Sequence, residues 1–363
     1  MTKLRDTLAP HVDPGEIPGL VALVSDGDDV QVEALGRLRV DGPPVRRDSI
    51  FRISSMTKPV VAAAALLLVA DGALGLDEPV DRLLPELADR RVLTAIDADL
   101  DDTVPAHRAI TVRDLLTFRL GMGLIAAPPG TYPVQRAMDD LSLAQGAPGA
   151  QVPPEPDEWL RRLGTLPLLH QPGERWMYST GSDVLGVLLA RASGRSLPDL
   201  LAERIFDPLG MRDTGFHVPA ASIDRFATMY RPGPEVADDP ATGCWSREPA
   251  FPSGAGGLVS TVDDFHAFSE MLRRGGAGLL TPEAVAQMTT DQLEPGQSDG
   301  IFLSDGEGWG FGVSTGPEPG RYGWDGGLGS CWYTGARATG ILLTQVQWTT
   351  GPPAVRAAFL ENL

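Results

Sequence analysis

The pattern of apolar and polar positions changes character twice along this chain. Near the N-terminus, Pro18 to Ser25 (PGLVALVS) and Asp29 to Val40 (DVQVEALGRLRV) are short strand-like runs separated by Asp26, Gly27 and Asp28. That arrangement predicts two strands joined as a hairpin. Further on, Val60 to Ala70 is an unbroken run of alanine, leucine and valine that stops at Asp71 and Gly72. It is too long for a strand and reads as a buried helix. The middle third, roughly Leu76 to Ala250, reads as helical pieces joined by loops, at Val112 to Leu116, Pro156 to Leu163, Asp183 to Ala192 and Leu197 to Ile205. Within it, Ala126 to Pro156 is rich in proline, glycine and alanine and reads as a mobile cover or insertion. After Ser253 come a glycine turn, a helix at Val262 to Arg273, strand-like runs at Gly308 to Thr315, Ser330 to Thr334 and Gly340 to Gln347, and a closing helix at Ala354 to Asn362. Strands at both ends around a helical middle predict an α/β (α+β) fold. Residues 1–75 and 251–363 form the sheet domain in this reading. Residues 76–250 form an inserted, mainly helical domain with a loop-rich insertion around 126–156.

Composition narrows the function classes. The 363 residues, 42% hydrophobic and 21% charged, describe a globular chain long enough for a full core. A formal charge of −18 argues against nucleic acid and anionic membrane surfaces, which need a basic footprint, and leaves small molecules as the expected partners. Met1 to Gly15 is charged throughout, without the apolar run of a secretory signal, and Val60 to Ala70 is too short to span a bilayer. The expectation is a cytoplasmic protein. Cys244 and Cys331 stand far apart, with no second pair and no CxxC spacing, so reduced structural thiols are expected and no zinc site is offered. No other metal-ligand spacing or phosphate-cradling loop appears.

One feature of the charge set points to chemistry. Of 30 basic residues only Lys3 and Lys58 are lysines. A guanidinium stays charged, whereas burial can drive an ammonium neutral. Lys58 ends the run Ser55, Met56, Thr57, Lys58 at the predicted start of the apolar helix, so the serine and lysine side chains share a face. A desolvated neutral lysine can serve as the base that makes a serine nucleophilic, and backbone N–H groups at a helix start favour developing negative charge. The same tetrapeptide also reads as an ordinary helix cap followed by a surface lysine. Pro59 is compatible with a helix only in its first turn, which requires the helix to open at about Ser55.

The run FRISSMTKPVVAAAALLLVADGALGLDEPV resembles the active-site helix of the serine β-lactamase and penicillin-binding-protein superfamily, especially the class C β-lactamase branch that includes the family VIII carboxylesterases. The resemblance continues in ITVRDLLTFRLGM, PGERWMYSTGSDVLGVLLARASG, FDPLGMRDTGF and SGAGGLVSTVDDFHAF, in the expected order over most of the chain. It implies a β-lactamase-like fold: a central antiparallel sheet flanked by helices, with an inserted helical domain. It also implies a serine nucleophile at Ser55, with Lys58 and Tyr178 sharing the general acid and base work, and no cofactor. Tyr178 matches the tyrosine of the family's second motif. The asparagine two residues later is absent, because Thr180 stands there and the chain's only asparagine is Asn362. Ser179, Thr180 or Ser182 can offer a hydroxyl instead, although capping of the following helix is the preferred reading of all three.

At the third motif, Trp324, Asp325 and Gly326, followed by Gly327, stand where β-lactamases carry lysine, a small polar residue and glycine. No lysine follows Lys58. The resemblance makes Gly326 and Gly327 the strand segment beside the substrate, with the Gly327 N–H joining that of Ser55 as an oxyanion hole, and Trp324 an apolar wall. W-x-G is similar to the pattern of family VIII esterases. The expected function is therefore a serine carboxylesterase working through an acyl-enzyme on a small-molecule ester. A β-lactamase or D-amino-acid peptidase, a small-amide amidase, and a non-catalytic binding protein on a hydrolase fold are the alternatives.

Two G-x-S-x-G runs, around Ser298 and Ser314, offer a competing nucleophile. Ser298 sits in a polar stretch, and Ser314 is followed by Pro317 and Pro319 where a nucleophile elbow needs a helix. The five histidines are scattered, and His266 is expected on an exposed helix.

Overall fold

A computed structural model describes every residue except 1–2, 13–15, 28, 144–146, 150, 234, 299–301, 305, 349–350 and 352. The N-terminal hairpin consists of β1 (Gly19–Asp26) and β2 (Asp29–Gly36). Residue 28 of its turn lies outside the described residues. A short strand, β3 (Phe51–Arg52), leads to a single 3₁₀ turn, Ser54–Met56, and then to helix α1 (Thr57–Ala70). Pro59 falls in the first turn of α1, where its missing N–H costs no hydrogen bond. The middle of the chain supplies α2 (Thr180–Ser193) among several shorter helices, and the C-terminal part supplies β4 (Val259–Ser260) and α3 (Val262–Arg273). Strands β5 (Gly308–Trp309), β6 (Ser314–Thr315), β7 (Tyr322–Gly326), β8 (Ser330–Thr334) and β9 (Thr339–Thr344) and the last helix, α4 (Ala354–Leu360), follow.

Seven strands form one sheet in the order β2-β1-β9-β8-β7-β6-β5, with every neighbour antiparallel. The central strands read as continuous apolar runs because both faces of the sheet are covered. Leu20, Ala22, Cys331, Tyr333 and Leu342 face a layer made by Lys3–Leu8 and α4. Their alternates Val21, Leu23, Trp332, Ile341 and Leu343 face the main core with α1 and α3. Helix α1 is buried from Thr57 to Leu68 on all sides, which explains its lack of a polar stripe. It packs against α2, so Ser55 and Tyr178 both belong to segments entering the same pair of core helices.

Several boundaries differ from the sequence reading. The run from Gly308 to Thr315 is two short strands with a turn at Gly312, not one strand. The 126–156 stretch contains a helix, Pro133–Asp140, whose Val134 is buried in the main core. The middle of the chain also carries two small strand pairs, Arg91–Leu93 with Thr103–Pro105 and Met229–Tyr230 with Val236–Asp238. Cys244 and Cys331 are free thiols. Among the described residues no helix is long and apolar enough to cross a membrane.

Candidate active site

The pairing of β3 with β4 sets the position of Ser55. It joins Phe51 to Ser260 and Arg52 to Val259, which brings the 253–257 loop alongside the Ser54–Met56 turn. The Ile53 N–H donates to the Leu258 carbonyl at 3.1 Å, and the Leu258 N–H donates to Thr57 Oγ1 at 3.1 Å. Ser54 adopts φ of +45°, a left-handed conformation that is costly for a residue with a side chain. Such an outlier persists only where its surroundings over-determine it, and here it lies next to Ser55.

Lys58 is 1% exposed. Its Nζ lies 2.9 Å from Ser55 Oγ and donates to the Ala255 carbonyl at 2.5 Å. Burial lowers the ammonium from the usual lysine range to about 7, with the charge of Asp183 opposing that shift. Tyr178 enters from the other side, with its ring centroid 4.6 Å from Lys58 Nζ. Its hydroxyl shares a hydrogen bond with Ser55 and accepts one from the Trp324 indole N–H at 2.6 Å. Burial pushes the phenol up, and the hydrogen bonds from Ser55 and Trp324 offset only part of that. At neutral pH the lysine can therefore be neutral while the tyrosine keeps its proton.

Aromatic rings surround the tyrosine. Tyr178 packs with Phe118, Trp176, Trp309 and Trp324 in one buried cluster, and the half-exposed Phe302 ring stacks on it at 4.7 Å. Trp324 is thus more than the apolar wall expected from its side chain, because its N–H points at the tyrosine oxygen. Strand β7 brings Gly326 against the Ser55 segment. A Cβ at 326 would collide with the Ile53 carbonyl and the Ser330 hydroxyl, so glycine is required there. The Ser330 hydroxyl donates to Ile53 O at 3.0 Å and ties β8 to the same turn. Gly327, one residue past the strand, faces open space.

Other expectations fare differently. Ser179, the residue before α2, has φ of +84° and makes no side-chain cap, so the preferred capping reading does not hold for it. Ser314 is 2% exposed and donates to the Gly323 carbonyl at 3.0 Å, a packing hydroxyl within the sheet. Of the other G-x-S-x-G run, Asp299 and Gly300 lie outside the described residues. His266 is partly buried on α3, and burial lowers its pKa. No group of three or more metal-ligating side chains occurs among the described residues.

Two parts of this centre escaped the sequence reading. The Ala255 carbonyl is backbone and carries no side-chain signal. Asp183 sits in the first turn of α2, where an acidic residue ordinarily serves the helix dipole. Its Oδ1 instead accepts from the Ser253 hydroxyl at 2.6 Å and the Ala255 N–H at 3.1 Å.

Residues 4–361 match the Beta-lactamase family. The chain belongs to that family. It is 38% identical to Protein Rv1367c of Mycobacterium tuberculosis, covering 92% of this chain and 87% of that one. It is 34% identical to Esterase EstB of Burkholderia gladioli, covering 89% and 84%. Among solved structures, EstCE1, described as a hydrolase with promiscuous acyltransferase activity, superposes with a TM-score of 0.80 at 27% identity over 98% of this chain and 97% of that chain. The antiparallel sheet with flanking helices is the β-lactamase-like fold, and this member of the family is a serine hydrolase.

Proposed function

We propose that this chain is a carboxylesterase of the family VIII type, acting on small neutral esters through an acyl-enzyme at Ser55. The observation that carries the reading is the buried Lys58 amine, 2.9 Å from Ser55 Oγ and brought to about 7 by desolvation. Neutral Lys58 takes the serine proton as Oγ attacks the ester carbonyl. The N–H groups of Ser55 and Gly327 receive the negative charge on the carbonyl oxygen. As the tetrahedral intermediate collapses, the Tyr178 hydroxyl gives its proton to the departing alcohol, and the phenolate left behind takes back the proton that the neighbouring Lys58 ammonium received from Ser55. Water then attacks the acyl-enzyme with its proton passing to Lys58, which hands that proton to Ser55 Oγ as the acid leaves, so that neutral Lys58 and the serine hydroxyl are both restored. All groups required are side chains and backbone N–H groups of this chain.

The substrate class follows from what lines the centre. Trp324 stands where a β-lactamase carries its second lysine, so no cation is offered there to a substrate carboxylate. Aromatic rings around Tyr178 favour an uncharged acyl or alcohol group. The similarity to Esterase EstB supports this reading. The test is a panel of p-nitrophenyl esters from acetate to laurate beside nitrocefin, on the wild type and on Ser55→Ala. Ester hydrolysis should exceed nitrocefin hydrolysis and fall by about 10⁴-fold or more in the variant, with kcat/KM rising as pH passes upward through about 7. A serine-directed phosphonate should label the wild type at Ser55 alone. Ester turnover that survives Ser55→Ala overturns the mechanism, and efficient nitrocefin hydrolysis overturns the substrate class.

A further inference from the structure

Asp183 is 1% exposed and belongs to α2, whereas Lys58 belongs to α1, yet the two are joined through the 253–257 loop. The carboxylate accepts from the Ser253 hydroxyl and from the Ala255 N–H. Ser253 Oγ in turn accepts from the N–H groups of Ala255 at 3.2 Å and Gly256 at 3.1 Å. The loop is also pressed against α2 at Gly254, where a Cβ would collide with the Ser182 carbonyl. Held in this way, the peptide of Ala255 donates to Asp183 through its N–H, while the carbonyl of the same residue accepts from Lys58 Nζ. One residue thus transmits the position of a buried carboxylate to the amine beside the nucleophile.

We infer that Asp183 is a positioning residue that fixes Lys58 through Ser253 and the Ala255 carbonyl and sets, by its charge, the pH at which that lysine gives up its proton. This rests on the reading of Lys58 as the base. A carboxylate near a buried ammonium favours the charged form, opposing desolvation. The side chain thereby prevents Lys58 from becoming too weak a base, since a base works best with a pKa near the working pH. Among the described residues, the other groups facing the amine are Ser55 on its own segment and Tyr178 from the segment before α2. Asp325, from β7, acts on the tyrosine and is paired with Arg356 of α4.

The sign of the effect separates this role from a structural one. Asp183→Asn keeps an oxygen able to accept from Ser253 and Ala255 but removes the charge, so the Lys58 pKa falls further. The acid limb of kcat/KM against pH should move down by about one unit. Ser253→Ala removes three of the loop's hydrogen bonds, to Asp183 and from the N–H groups of Ala255 and Gly256, but leaves the charge. Its kcat should drop by about tenfold, with the acid limb in place. Both variants are measured with p-nitrophenyl acetate beside the wild type and Ser55→Ala, after phosphonate titration has counted intact sites. Turnover surviving in Ser55→Ala would condemn the ester mechanism itself. With that control silent, an acid limb in Asp183→Asn that stays put or moves up overturns the inference. Should Asp183→Asn fail to fold, Ser253→Ala decides, and wild-type kcat there overturns it.

Discussion

Two cations lie six positions apart in the sequence and are both buried, but they meet opposite fates. Arg52 on β3 is ion-paired with Asp238, donates to the Ala227 carbonyl at 2.6 Å, and has its guanidinium 3.9 Å from the Phe226 ring centroid. Burial brings it down only to about 10, with Asp238 holding it up, so it remains charged under ordinary conditions. Lys58 has a hydroxyl and a carbonyl as direct partners, and its carboxylate acts across the 253–257 loop rather than by contact. It falls to about 7. The contrast shows how one chain builds both a permanent and a switchable buried cation. A planar fork locked onto a carboxylate cements β3 to the 227–238 segment, whereas a single amine deprived of contact with a carboxylate gives up its proton more readily. The near-total use of arginine elsewhere makes the exception at 58 chemically meaningful.

Exchanging the two residue types is the strongest way to break the comparison. Lys58→Arg preserves charge and must be accommodated in a packed site, but the guanidinium cannot be deprotonated. Ester hydrolysis should fall by about 10⁴-fold, the upper range for a lost general base, with no rising limb near pH 7, as pH-rate profiles would report. Near-normal turnover would remove Lys58 from the mechanism. The reciprocal change, Arg52→Lys, should do something different. It retains a charge for Asp238 but loses the forked geometry and the flat stacking on Phe226. We expect a loss of about 2–3 kcal/mol of stability in urea unfolding, while kcat/KM of the folded fraction stays within about twofold of wild type. A large drop in kcat without loss of stability would show that Arg52 belongs to the chemistry.

The same comparison explains what was legible in the sequence. Contacts made within one turn of helix are written in the spacing, so Ser55 and Lys58 point to each other directly. Period-two alternation in β1, β8 and β9 was hidden because both faces are buried, yet the apolar runs still marked strands. Tyr178 and Trp324 reach the site from distant segments, and only their motif context brought them into view. The Asp183 and Ala255 link was not legible at all. A helix-first-turn aspartate has a sufficient local explanation, and a backbone carbonyl leaves no trace in residue identity. Helix Pro133–Asp140 was obscured by its flanking prolines and glycines, although Pro133 at the first position is a normal helix start.

A smaller change sharpens the boundary between the neutral and the charged centres. Trp324 donates its indole N–H to the Tyr178 oxygen, and that bond favours the phenolate without touching Lys58. Trp324→Phe keeps an aromatic wall and deletes the donor, so Tyr178 becomes a slightly weaker acid and its ring is held less firmly. One neutral hydrogen bond is worth about 1 kcal/mol net, which predicts a kcat reduced about fivefold to tenfold. KM for p-nitrophenyl acetate should change little, because the bond matters most when the tyrosine passes its proton to the alcohol. The acid limb near pH 7 should not move, since it belongs to Lys58. A raised KM with unchanged kcat would instead confine Trp324 to shaping the pocket, leaving the tyrosine hydroxyl to be positioned by Ser55 and the surrounding rings.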